Sequence, residues 1–266
     1  MRAAGADAED LQKHISGTYF SLRLGMGLLA VALPLSLWLG GRFADHEALR
    51  CSMSAYYYSP TMRDKFVGIL CAIGLFLYLY KGFSRQENWA LNVAGAFAIL
   101  IALVPTSPDC EGGKAFSAHE FFAILFFLAI AYVCLFRAAD TLSLIRDPQK
   151  AKRLRTLYRG IGVLMIASPL VAVVLAQSLQ PGSPRRSLVF FVETVAVLTF
   201  AAYWLVKSRE LSATDAEKLA LERQLKPASP PPAGVEHPPG KLVQIGSDDV
   251  TQLDSKRPPS DTGDLQ

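Results

Sequence analysis

Six apolar stretches, each of a length that can cross a lipid bilayer, dominate this chain. A hydrocarbon core of about 30 Å takes roughly 20 helical residues to span, and within it each backbone polar group must find its partner inside the protein. The stretches run from about Ser21 to Gly41, Asp64 to Lys81, Trp89 to Pro105, His119 to Phe136, Arg159 to Gln177, and Ser187 to Val206. They predict an all-α fold, a polytopic transmembrane bundle of six helices. Composition agrees: 51% of the 266 residues are hydrophobic and 19% are charged, more apolar and less charged than a soluble domain of this size.

The polar segments divide the chain into a cytoplasmic N-terminal segment (1–20), the membrane domain (21–206), a short cytoplasmic helix (207–226) and a Pro-rich disordered tail (227–266). The helix is suggested by a capping pattern, Thr214-Asp-Ala-Glu217, with Leu221 and Leu225 one turn apart and Glu222 four residues before Lys226. The tail holds Pro230-Pro231-Pro232, Pro238-Pro239 and Pro258-Pro259, with too little apolar surface to offset ordering entropy. Leu39-Gly40-Gly41-Arg42 is a poor cleavage signal, so the first stretch reads as a retained span, with Pro34 tolerated as a kink.

Basic residues set the orientation. Arg137, Arg146, Lys150, Lys152, Arg153, Arg155 and Arg159 crowd the segment between the fourth and fifth stretches, which the retention of Lys and Arg in the cytoplasm places inside. An even number of spans puts both termini on that side. Trp38, Tyr78, Tyr80, Trp89, Tyr158, Tyr203 and Trp204 fall near stretch ends and are expected in interfacial belts. The net charge of +4 is modest and its basic residues form no stripe interleaved with aromatics, which argues against nucleic acid as a partner. The histidines and cysteines show no metal-ligand spacing and no C-x-x-C, so no metal or cofactor is implied.

The candidate chemistry gathers on the extracytoplasmic side. Cys51 and Cys110 share that oxidising compartment and form a candidate disulfide, whereas Cys71 and Cys134 lie inside stretches as apolar filler. The loop Cys51-Ser-Met-Ser-Ala-Tyr-Tyr-Tyr-Ser-Pro-Thr-Met-Arg-Asp64 is dense in hydroxyls, and its three tyrosines suit the headgroup layer. Thr61-Met-Arg-Asp64 and Ser117-Ala-His-Glu120 fit capping boxes, giving Asp64 and Glu120 structural roles at helix N-termini. His119, in the first helical turn, sits where the helix dipole disfavours the imidazolium, as a general base would require. Glu193 lies inside Phe190-Phe-Val-Glu-Thr-Val, where a carboxylate facing lipid costs about 2.5 kcal/mol or more, so Arg63 and His119 are its expected partners. Gly68, Gly74, Gly95, Gly160 and Gly162 suit close helix packing.

The run Ser52-x-Ser54-x-Tyr56-Tyr57-Tyr58-x-x-x-Met62-Arg63-Asp64-x-Phe66-Val67-Gly68-x-Leu70-Cys71 is followed by Tyr80-Lys81-Gly82, Asn92-x-Ala94-Gly95, Pro105-Thr106 and His119. Over about Cys51 to Arg137 it resembles an uncharacterised bacterial family of multi-pass inner-membrane proteins, which implies a membrane address. The six-helix layout is also distantly similar to the DRAM-like membrane proteins. Three functional expectations follow. The first is a non-enzymatic protein whose rim residues Ser52, Ser54, Tyr56, Arg63, Asp64, His119 and Glu193 bind a small molecule, lipid headgroup or partner, with Arg63 as the anion contact. The second is an intramembrane hydrolase with Ser54 or Ser52 as nucleophile, His119 as base, and Asp64 or Asp109 orienting it. The third is a proton- or cation-coupled transporter using Glu193, although no repeated halves are evident.

Overall fold

The structure, a computed structural model, describes residues 2–106, 117–179, 183 and 187–214, with side chains from residue 10 onward. Those residues form α1 (Arg2–Phe43), α2 (Met62–Leu79), α3 (Arg85–Leu103), α4 (Ala118–Tyr132), α5 (Pro148–Ser178) and α6 (Ser187–Thr214). A π turn, Val133–Arg137, ends α4, and short 3-10 turns occur at Ser54–Tyr58 and Leu142–Leu144. Each helix packs on its neighbour in sequence, and α1 packs on α6, which closes a ring. Short connections between long helices favour this antiparallel alternation. It leaves two ends: an upper one, beneath the 44–61 segment and the starts of α2, α4 and α6, and a lower one at the starts of α3 and α5.

Local sequence explains several helix starts. Ser84 caps α3 by accepting from the Glu87 N–H at 3.2 Å. Asp147 caps α5 by accepting from the Gln149 and Lys150 N–H groups at 2.8 and 3.3 Å, with Pro148 in the first turn. The expected capping box at Ser117 is present: Glu120 N–H donates to the Ser117 hydroxyl at 3.2 Å and Ser117 N–H to the Glu120 carboxylate at 2.9 Å. The one expected at Thr61 is not formed. Thr61 has φ −111° and ψ −21° instead of the extended backbone a cap requires, and its hydroxyl donates to Asp45 at 2.7 Å.

Four helical segments are long and apolar enough to cross a membrane: Asp10–Phe43, Ala118–Leu144, Pro148–Ser178 and Ser187–Thr214. They are compatible with an integral membrane protein. The six expected spans are all helices, but α2 and α3 are the two outside that set. The reason is compositional: α2 opens with Arg63-Asp64-Lys65, and α3 carries Arg85, Glu87, Asn88 and Asn92. The last expected span continues past Val206 to Thr214, whose hydroxyl donates back to the Glu210 carbonyl at 3.0 Å. The rest of the expected helix at 207–226 and the Pro-rich tail lie outside the described residues.

The expected aromatic belt divides. Trp38, Tyr78 and Trp89 face outward, whereas Tyr80, Tyr158, Tyr203 and Trp204 are buried. The second group is core because its rings pack on one another near edge-on, with centroids 5.1 Å apart for Tyr80–Trp204, 5.1 Å for Tyr203–Trp204 and 5.8 Å for Tyr158–Tyr203.

Close packing is concentrated where α2 crosses α3. A Cβ on Gly74 would lie 2.7 Å from the Gly95 carbonyl oxygen, and one on Gly95 would lie 2.6 Å from the Gly74 carbonyl oxygen, so both clashes are with backbone. Gly162 is also tight, at 2.6 Å from Leu135, but Gly68 and Gly160 face open space and are not packing positions. Gly95→Leu is therefore expected to lower stability by at least about 1–3 kcal/mol, whereas Gly68→Ala should be neutral or stabilising by up to about 1 kcal/mol. Unfolding midpoints in detergent, read by circular dichroism, would separate the two; equal effects would contradict the crossing geometry.

Candidate functional site

The 44–61 segment is held over the upper end by its own polar side chains. Asp45 accepts from the hydroxyls of Ser59 and Thr61, each at 2.7 Å, and these bonds, led by Thr61, hold its carboxyl below the ordinary carboxylate range. Glu47 grips Arg50 with two bonds of 2.8 and 2.7 Å and is likewise held low, chiefly by that guanidinium. The three tyrosines part company. Tyr56 is buried against Phe190, with ring centroids 6.1 Å apart; Tyr57 receives the Arg63 guanidinium at 2.8 Å; Tyr58 donates to the Thr106 carbonyl at 2.6 Å.

Beneath this segment the ring lines a half-open cavity of about 190 Å³ with residues from all six helices in its wall, among them Leu33, Phe66, Ile101, Phe126, Ala172 and Ala196. That exceeds the roughly 150 Å³ known to admit a benzene ring. Ser52, Ser54, His119 and Glu193 converge on it. Tyr56, Arg63 and Asp64 are not among its lining residues, and Arg63 and Asp64 are exposed at the start of α2. Asp109 and Cys110 lie outside the described residues. Cys71 and Cys134 are free thiols, and Cys51 is not among the free cysteines.

Glu193 is met by a backbone donor: its Oε2 accepts from the Met53 N–H at 2.6 Å. A second tie, from the Phe190 N–H to the Cys51 carbonyl at 2.9 Å, fastens the same loop to the start of α6. Ser52 Oγ accepts from the Ala55 N–H at 3.1 Å and shares a hydrogen bond with Ser54 Oγ at 3.0 Å. His119 is buried with Nδ1 2.8 Å from the Val104 carbonyl. A carbonyl only accepts, so Nδ1 carries the proton of that bond. In a serine triad the group at Nδ1 is a carboxylate; here the Val104 carbonyl occupies that place.

A second polar cluster, at the lower end, was not foreseen from the sequence. Lys207, 1% exposed, donates to the Ala138 carbonyl at 3.0 Å, to Thr141 Oγ1 at 2.7 Å and to the Glu210 carboxylate at 3.1 Å. Glu210 also accepts from the Thr141 and Tyr158 hydroxyls. Glu87, 2% exposed, accepts from the Phe83 N–H at 2.9 Å, and the buried Arg23 guanidinium lies 5.9 Å from the Tyr80 ring centroid. Among the described residues the fully buried charged side chains here are thus two cations and two carboxylates. The available signal was helical spacing: continuing α6 past Val206 puts Lys207, Glu210 and Leu211 on the face of Phe200, Tyr203 and Trp204.

Compared with protein families, with curated proteins and with solved structures, the chain finds no match in any of the three.

Removing one member of the lower pair leaves a buried charge without its partner. Lys207→Met should therefore cost about 3–5 kcal/mol, and the double variant Lys207→Met with Glu210→Gln appreciably less than the sum of the two single changes. A double-mutant cycle on unfolding midpoints in detergent measures this; additive losses would show that the pair is not coupled.

Proposed function

We propose that the protein is a six-span integral membrane protein of the bacterial inner membrane, with both termini in the cytoplasm, whose extracytoplasmic cavity binds a small amphipathic molecule. The observation that carries the functional part is the cavity, where acceptor groups from the 44–61 segment, α4 and α6 meet at the head of an otherwise apolar chamber. Ligand sites typically have this character, mostly apolar walls with a few placed polar groups. The likeness to the multi-pass inner-membrane family and, through its layout, to the DRAM-like proteins is part of the same reading.

The number of spans is supported by geometry. At 18 and 19 residues, α2 and α3 extend about 27–29 Å, close to the thickness of a bilayer core, and they complete a ring whose other four members are apolar. The orientation is supported by exposed charge: Lys81, Arg85, Arg146, Lys150, Lys152, Arg153, Arg155, Arg159 and Arg209 all lie exposed at the lower end. In this orientation Cys51 and Cys110 lie outside, and we include their disulfide in the proposal. Periplasmic reporter fusions should be active after α1, α3 and α5 and silent after α2 and α4, and Cys51 and Cys110 should react with maleimide only after reduction. An active fusion after α2 would break the six-span topology.

The cavity itself is tested by plugging it. Native mass spectrometry of the purified full chain should detect a bound small molecule whose occupancy falls roughly tenfold in Ala196→Phe and in Ala172→Leu, two independent plugs. Equal occupancy in both folded variants and the unmodified protein would remove the cavity from the function.

A further inference from the structure

The two polar clusters differ in their charge balance. At the lower end two buried carboxylates, Glu87 and Glu210, are accompanied among the described residues by two buried cations, Arg23 and Lys207. At the upper end the cavity wall includes two carboxylates, Glu120 and Glu193, and among the described residues that line it there is no Lys or Arg. Of the described cations in the 44–61 segment and α2, Arg50 pairs with Glu47 at 2.7 Å, Arg63 donates to Tyr57 at 2.8 Å, and Lys65 is exposed outside the cavity wall. Each cavity carboxylate has a backbone donor, Ser117 N–H at 2.9 Å for Glu120 and Met53 N–H at 2.6 Å for Glu193. Those single bonds leave most of their lone pairs open. The wall is therefore rich in acceptors, while Phe66, Leu70, Phe126 and Phe127 make other parts of it apolar.

We propose that the cavity selects a protonated amine carried on a short hydrocarbon tail. The ammonium donates to Glu193 and to the Ser52–Ser54 hydroxyl pair and supplies the positive charge that the lower cluster obtains from Lys207 and Arg23. The tail lies among the phenylalanines. An anionic head is disfavoured, because it would bring a third negative charge to a wall that offers no described cation. This inference rests on the cavity being a ligand site and adds the chemistry of the ligand.

The test uses the full chain in phosphatidylcholine nanodiscs, titrated calorimetrically with n-octylamine, n-octanol and n-octanoate against empty nanodiscs. Octylamine is expected to bind on the order of tenfold tighter than octanol, with octanoate weakest. Glu193→Gln, which keeps an oxygen for the Met53 N–H, should bring octylamine to the level of octanol and leave octanol unchanged. Glu193→Asp should retain the preference for amine. Octanol or octanoate binding as tightly as octylamine, with no effect of Glu193→Gln, would overturn the amine assignment while leaving the cavity as a ligand site. Failure of all three to bind above the empty-nanodisc signal, or binding that persists in Ala196→Phe, would overturn the ligand site itself.

Discussion

A single buried ammonium, that of Lys207, ties three parts of the ring together. It is supplied by α6, it takes the Ala138 carbonyl just beyond α4 and the Thr141 hydroxyl next to it, and its carboxylate partner Glu210 reaches Tyr158 on α5. Desolvating a charge costs several kcal/mol, and that cost is met only when the geometry satisfies the whole group. Here each of the three ammonium protons has an acceptor within 3.1 Å. Because these bonds are directional, they fix the rotation of α6 about its axis, which a purely apolar seam would define less sharply. That rotation points Glu193, on the same helix, inward at the other end.

The upper end solves the same problem differently. Glu193 meets a loop amide in place of a cation, so loop and helix satisfy each other: the 44–61 segment has a donor to place and α6 a carboxylate. The Asp45 and Glu47 hydrogen bonds keep the segment folded so that the Met53 amide stays in position. One end is closed around a buried ammonium and its carboxylate, the other by a single loop amide on a carboxylate beside a cavity.

Sequence reasoning reaches what is local. The Ser117–Glu120 box depends on four consecutive residues and is present, while the Thr61 cap loses its hydroxyl to Asp45, 16 residues earlier in the chain, where no local pattern could signal it. Glu193 stands out in an apolar run, but its partner is a backbone N–H, a group every residue but proline owns and no sequence pattern marks. Lys207 and Glu210 look like an ordinary solvated helix end until Tyr158 and the turn after α4 cover them. The six helices themselves were legible from length and apolarity. The polar starts of α2 and α3, which separate them from the four strongly apolar segments, were also visible in the residues.

The π turn at Val133–Arg137 makes the lower cluster a matter of chain length as much as of side chains. Its Ala138 N–H reaches back to the Val133 carbonyl at 2.7 Å, so one extra residue is accommodated in that turn. Deleting a residue there would restore regular winding, yet it would rotate everything downstream by about 100° relative to the helix before it. The Ala138 carbonyl would swing away from Lys207, and Arg137 away from Ser84, the cap of α3. A lineage carrying this ring could exchange many of its apolar residues for one another, but it could not lose that single position without dismantling the seat of its buried cation.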